Sequence, residues 1–303
     1  MIKRLIALAV ATLVLSGCAQ KLPDDRQQIS VPAELPNLQV INNVSYSSLA
    51  ALPYGNSSIQ LAYGNAPLQY GQLYLPPKAT MQQPSPLVVF IHGGCWLNAY
   101  DISHSNGFSQ ALADQGFAVW SLEYRRTGDV GGGWPGSFHD VLTGISSVQS
   151  LLAGFPIDHS NIVLAGHSAG GQLALLAAGK SYHQAALYNL PPIKGVVGLA
   201  AITDMPGYSA GENSCQKATR QFLQGSAAQQ TEYYLQANPQ QQAMHPKTLL
   251  LQGSTDSIVP VTQASASGMP FQLVNEAGHF DWIHPHTPAY KQFIATLQEF
   301  FAQ

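Results

Sequence analysis

Charge is scarce in this chain. Only 10% of its 303 residues are Asp, Glu, Lys or Arg, against a usual quarter, so Gln, Asn and Ser take over the solubilising role. The net charge is −3 and no Lys/Arg cluster appears beyond the first residues, which sets nucleic acid aside as a partner. Cysteine is almost missing, with three residues in all. Internal repeats and low-complexity tracts are absent. After residue 15 no apolar run is long enough to span a bilayer. What is left is chain enough to bury a sizeable core, as one large α/β domain or two small ones.

The one long apolar run stands at the start. Lys3 and Arg4 precede Leu5 to Leu15, a stretch too short for a membrane span but suited to a signal. It ends in Leu15-Ser16-Gly17-Cys18, which resembles the lipobox of bacterial lipoprotein signals. That resemblance implies a signal peptide over residues 1–17, cleavage before Cys18 and lipidation of Cys18. The residue after the cysteine is Ala19 rather than Asp, which in such lipoproteins implies the outer membrane. A lipid-anchored protein of the cell envelope, facing the periplasm, is the expectation. Residues 18–38 are polar and carry Pro23, Pro32 and Pro36. They cannot build a core and read as a tether.

The folded domain is expected over residues 39–303. Alternating segments near Val40 to Tyr46, Ser58 to Tyr63 and Leu68 to Leu75 read as an antiparallel edge. From Leu87 onwards strands and helices alternate, which predicts a mostly parallel sheet with helices on both faces. Strands are expected at Leu87–Ile91, Phe117–Leu122, Ile162–Ala165, Gly195–Ala201, Thr248–Gln252 and Phe271–Asn275. Helices are expected at Phe108–Gln115, Phe138–Leu152, Leu173–Ala178 and Tyr290–Phe301. Residues 205–245 interrupt the alternation with two helical pieces, Cys215–Leu223 and Thr231–Ala237, and read as a small cap over the site.

The chemistry concentrates at strand ends. Gly166-His167-Ser168-Ala169-Gly170 lies between a short apolar strand and an Ala/Leu-rich helix. Small neighbours let the chain turn sharply there, exposing the Ser168 hydroxyl at a helix N-terminus. A serine nucleophile needs a base, a group to orient that base, and donors for an oxyanion. Asp256 follows one buried strand and His279 follows the last. Asp204, after the preceding strand, is the rival acid. Gly93 and Gly94, after the Leu87 strand, let backbone N–H groups approach an oxyanion. No pair of histidines shows ligand spacing beside carboxylates on one element, so no metal is expected.

The order Ser168, Asp256, His279 is that of the α/β-hydrolases, and the chain resembles the esterase/lipase group of that superfamily. It is closest to the kynurenine formamidase-like branch, which carries His-Gly-Gly-x-Trp, here His92 to Trp96. Glu123-Tyr-Arg-Arg126, Gly131-Gly-Gly-Trp-Pro135 and Gly278-His-Phe-Asp281 also resemble that branch. The resemblance implies an eight-stranded, mostly parallel sheet with a small cap, no cofactor, and oxyanion donors at the N–H groups of Gly94, Cys95 and Ala169. It implies a serine hydrolase acting on a small ester or amide, with short acyl or aryl esters first and an arylformamidase second. A non-catalytic lipoprotein that binds a partner through this fold is the reading from another class. With Cys18 lipidated, Cys95 and Cys215 remain, and in this fold both their segments lie over the same sheet edge. Either they form a disulfide between oxyanion loop and cap, or they are separate thiols.

Overall fold

The computed structural model describes residues 41–54 and 58–302. Cys18, with the expected signal and tether, lies outside the described residues. Eight strands form one sheet in the order β1-β2-β4-β3-β5-β6-β7-β8. They are β1 (Ile59–Ala62), β2 (Tyr70–Tyr74), β3 (Ser85–Ile91), β4 (Ala118–Leu122), β5 (Ile157–His167), β6 (Gly195–Leu199), β7 (Thr248–Gly253) and β8 (Phe271–Val274). β1 pairs with β2 and β2 with β4 in antiparallel fashion; every later pair is parallel. The sequence reading of an antiparallel edge leading into a parallel sheet matches this order. β3, β4 and β6 are almost wholly buried, as strands covered on both faces must be.

Ten α-helices occur among the described residues. In chain order they are α1 (Tyr46–Leu49), α2 (Asn106–Asp114), α3 (Gly136–Ser146), α4 (Val148–Leu151), α5 (Ala169–Tyr188), α6 (Met205–Ser209), α7 (Ser214–Phe222), α8 (Thr231–Ala237), α9 (Thr262–Ser265) and α10 (Pro288–Ala302). Two buried cores result, one on each face. Leu164, Leu173, Val141 and Trp120 belong to one. Val163, Phe108, Phe293 and Leu297 belong to the other. Alternate residues of β5 thus feed opposite cores, as the two-residue period of a strand requires.

Two expectations fail locally. Val40 to Tyr46 does not form a strand: residues 41–45 are irregular and Tyr46 opens α1. Asn43 stands at φ 53°, outside the β region, and the N–H groups of Asn43 and Val44 donate to the Asp281 carboxylate rather than to a neighbouring strand. The helix expected over Phe138–Leu152 is broken at Ser147 into α3 and α4. The insertion over residues 205–245 holds α6, α7 and α8, close to the expected pieces. α7 opens with a capping box between Asn213 and Gln216, which gives the cap a defined start.

Candidate active site

β5 delivers Ser168 to the site. The strand ends at His167, the next residue turns at φ 56° and ψ −120°, and α5 begins at Ala169. A non-glycine residue in that conformation is strained by about 1–3 kcal/mol, so surrounding contacts must hold it. The Ser168 N–H donates to Leu199 O on β6 at 2.8 Å. Gly170 explains why small residues are required: a Cβ there would lie 2.2 Å from the carbonyl oxygens of both Ile91 and His92. The oxyanion strand β3 and the serine turn therefore meet backbone to backbone.

Asp256 follows β7 and His279 follows β8. The carboxylate Oδ2 lies 2.8 Å from His279 Nδ1. Asp256 is itself well held: Oδ1 accepts from Ile258 N at 2.9 Å and Val259 N at 2.8 Å, and Oδ2 from Gln252 Nε2 at 3.2 Å. With Nδ1 committed to Asp256, Nε2 is the nitrogen of His279 left free to move a proton. Asp204 takes no part. It caps α6, accepting from Gly207 N at 3.1 Å.

His167 holds His279 from its other side. Its Nε2 meets the His279 carbonyl at 2.9 Å, and the two rings lie 4.6 Å apart. Burial, followed by the nearness of His279, pushes the His167 imidazole well below its usual basicity. It is thereby kept neutral beside His279.

The His92–Trp96 loop is anchored from below and above. Below, the buried Glu123 carboxylate meets His92 Nε2 at 3.0 Å and accepts from Ile102 N at 3.0 Å, while the Tyr124 hydroxyl donates to His92 O at 2.9 Å. Burial alone would raise the Glu123 carboxyl, but His92, Arg126 and the Ile102 N–H together hold it below the usual carboxylate range. Above, Cys95 is joined to Cys215 of α7 by a disulfide, with Cα atoms 4.9 Å apart. The Trp96 ring stacks on Phe222 of the same helix at 4.8 Å, and its Nε1 donates to Gln172 of α5 at 3.0 Å. Cys95 and Trp96 both hold positive φ, 54° and 58°, and these contacts offset that strain. Among the described residues, no backbone acceptor meets the N–H of Gly94, Cys95 or Ala169, and Gly94 and Cys95 line the same cavity as Ser168. The loop around Trp134 secures the cap in turn: Trp134 N donates to Phe222 O at 3.0 Å and Gln224 Nε2 to Trp134 O at 2.8 Å.

Ser168 and His279 line one cavity of about 180 Å³. Its floor includes Gly94, Cys95 and His167, and its cap side includes Cys215 and Ile258. Apart from Ser214, the remaining wall is aromatic, from Tyr46, Tyr100, His104 and Phe280. An engineered cavity of about 150 Å³ accepts benzene, so this one suits a single ring or a short chain. Of these wall residues Phe280 lies in the Gly278-His-Phe-Asp281 motif, while nothing in local spacing marks Tyr46, Tyr100 or His104.

A family model described as BD-FAE matches residues 72–267, well over half of the chain. The chain belongs to the BD-FAE family. That match spans the oxyanion loop, the serine turn, Asp256 and the cap. Among curated proteins, the chain is 28% identical over 214 residues to esterase LipC of Mycobacterium tuberculosis, covering 68% of this chain and 52% of that one. It is 33% identical over 122 residues to a probable isoprenylcysteine alpha-carbonyl methylesterase, ICMEL1, of Arabidopsis thaliana, covering 40% of this chain and 24% of that one. The chain thus spans about half or less of these relatives. Among solved structures, esterase B from Lactobacillus rhamnosis superposes with a TM-score of 0.68 at 19% identity, over 85% of this chain and 90% of that one. The fold is that of the α/β-hydrolases of the esterase/lipase group, as the motif order implied.

Proposed function

We propose that this protein hydrolyses short acyl or aryl carboxylic esters, with Ser168 as nucleophile, His279 as general base and Asp256 orienting it. One observation carries the reading: a serine strained into a positive-φ turn shares a ring-sized cavity with a histidine whose Nδ1 is held 2.8 Å from a carboxylate. The esterase names of the relatives support ester over amide as substrate. In this mechanism His279 Nε2 takes the Ser168 proton as Oγ attacks the carbonyl carbon. The carbonyl π electrons move onto oxygen, where the N–H groups of Gly94, Cys95 and Ala169 stabilise them by about 3–4 kcal/mol per donor. The tetrahedral species collapses, His279 protonates the departing alkoxide, and an acyl-serine remains. Water, deprotonated by His279, attacks the acyl group, and collapse releases the acid and restores Ser168.

A panel of p-nitrophenyl esters of increasing acyl length, run beside N-formylkynurenine, tests the reading. Turnover of the short esters supports it. Turnover of N-formylkynurenine alone replaces it with the amide reading, and turnover of nothing favours a binding role. In the same reading the domain is carried on the bacterial envelope by lipid on Cys18, supported by Lys3, Arg4, the apolar run and Leu15-Ser16-Gly17-Cys18. Mass spectrometry of the N-terminal peptide from membrane-extracted protein checks the lipid.

A further inference from the structure

The segment just before the sheet contributes a wall to the active-site cavity. It is fixed by Asp281, a fully buried carboxylate to which the mechanism assigns no role. Asp281 Oδ2 accepts from Asn43 N at 2.7 Å and from Gly278 N at 3.0 Å, and Oδ1 accepts from Val44 N at 2.7 Å. One side chain thus ties the N-terminal segment to the loop that carries His279. The two segments pack closely: a Cβ on Gly278 would lie 2.2 Å from the side-chain Oδ1 of Asn43 and 2.9 Å from its Cα. Three residues past Asn43, α1 buries Leu49 in the core and leaves the Tyr46 ring over the cavity. That ring meets Phe280 at 5.5 Å and Tyr100 at 5.6 Å, both edge-on, and His104 at 5.7 Å. Among the described residues, no Lys, Arg, Asp or Glu lines this cavity. The wall around Tyr46 therefore offers ring faces and edges and no Lys, Arg, Asp or Glu side chain.

We infer that Tyr46 is a specificity-determining residue of this site, receiving a flat, uncharged ring of the substrate against its own ring. The inference rests on the ester-hydrolase reading and adds a residue from outside the strand-end motifs. The test compares methyl butyrate, methyl benzoate (ring on the acyl side) and phenyl acetate (ring on the alcohol side). KM and kcat are measured for the wild type, Tyr46→Ala and Tyr46→Phe, with melting temperatures alongside. In Tyr46→Ala, KM rises about three- to tenfold for at least one aromatic ester, the size expected for one lost ring pair, and rises less for methyl butyrate, which brings no ring to the wall. Tyr46→Phe keeps the wild-type ratio, because the ring rather than the hydroxyl makes the contact. If the wild type turns over these esters and Tyr46→Ala changes all three alike or none, the assignment to Tyr46 is overturned alone. If the wild type turns over none of them, the ester-hydrolase reading falls and takes the assignment with it.

Discussion

Cys95 in the oxyanion loop and Cys215 in the cap helix α7 are joined across 120 residues of sequence. The bond, with Trp96 stacked on Phe222, makes the cap a support for the loop that would bind the oxyanion. Thiol titration of denatured, unreduced protein should find neither cysteine free. A cross-link closing so long a loop stabilises by up to about 5 kcal/mol in the chain-entropy model. Cys215→Ala should therefore lower the melting temperature clearly. It should also reduce kcat more than it raises KM, since it loosens donors that act on the oxyanion. Two free thiols per chain would contradict the pairing.

Asp256, which meets His279, is separable by position from Asp204, which caps α6. Asp256→Asn removes the carboxylate that selects the productive tautomer of His279, and turnover should fall by about 10⁴-fold with folding retained. Asp204→Asn keeps a side chain able to cap α6 and should leave turnover near wild type. A larger loss for the Asp204 variant would move the acid role to it.

Much of this constellation was legible because each member lies in a short, glycine-bearing motif after a strand. The strands before Ser168 and Asp256 are buried and announce themselves by apolar runs, whereas β8, before His279, is a largely exposed edge strand. Gly170 shows why such motifs are strict: backbone from β3 occupies the space of its missing side chain. Tyr46 was not legible. Its segment has the alternation of a strand, but its N–H groups are claimed by Asp281, 237 residues further on from Val44, and no local pattern reports a partner so remote. Asp281 itself lay in a recognisable motif, yet the motif gave no hint that the carboxylate reaches backward to the start of the domain. The break at Ser147 was likewise invisible, since apolar positions on both sides keep helical spacing.

Acid should destabilise the fold in a defined window. Burial, then the nearby His92, pushes the His104 imidazole from 6.5 down to about 4. The unfolded chain therefore binds a proton that the folded chain refuses. Stability is full above about pH 6.5 and falls as pH drops towards 4, by roughly 1.4 kcal/mol per unit for this group. His167 acts in the same direction. Glu123, held below the usual carboxylate range, adds a further loss only at lower pH. Urea unfolding at pH 7 and pH 5 should show the decline. His104→Asn, which keeps a donor for the Asp101 carbonyl that His104 Nδ1 meets at 2.6 Å, should shrink it.

The most direct test of the account is covalent labelling of Ser168. A fluorophosphonate probe should attach to the intact protein once per chain, at Ser168 by peptide mass spectrometry, with ester hydrolysis falling in step with labelling. Ser168→Ala should fold normally, take no label and retain only the residual catalysis of the oxyanion donors, about 10³-fold over water. Wild-type turnover in Ser168→Ala, or hydrolysis that survives full labelling of Ser168, would contradict the serine mechanism.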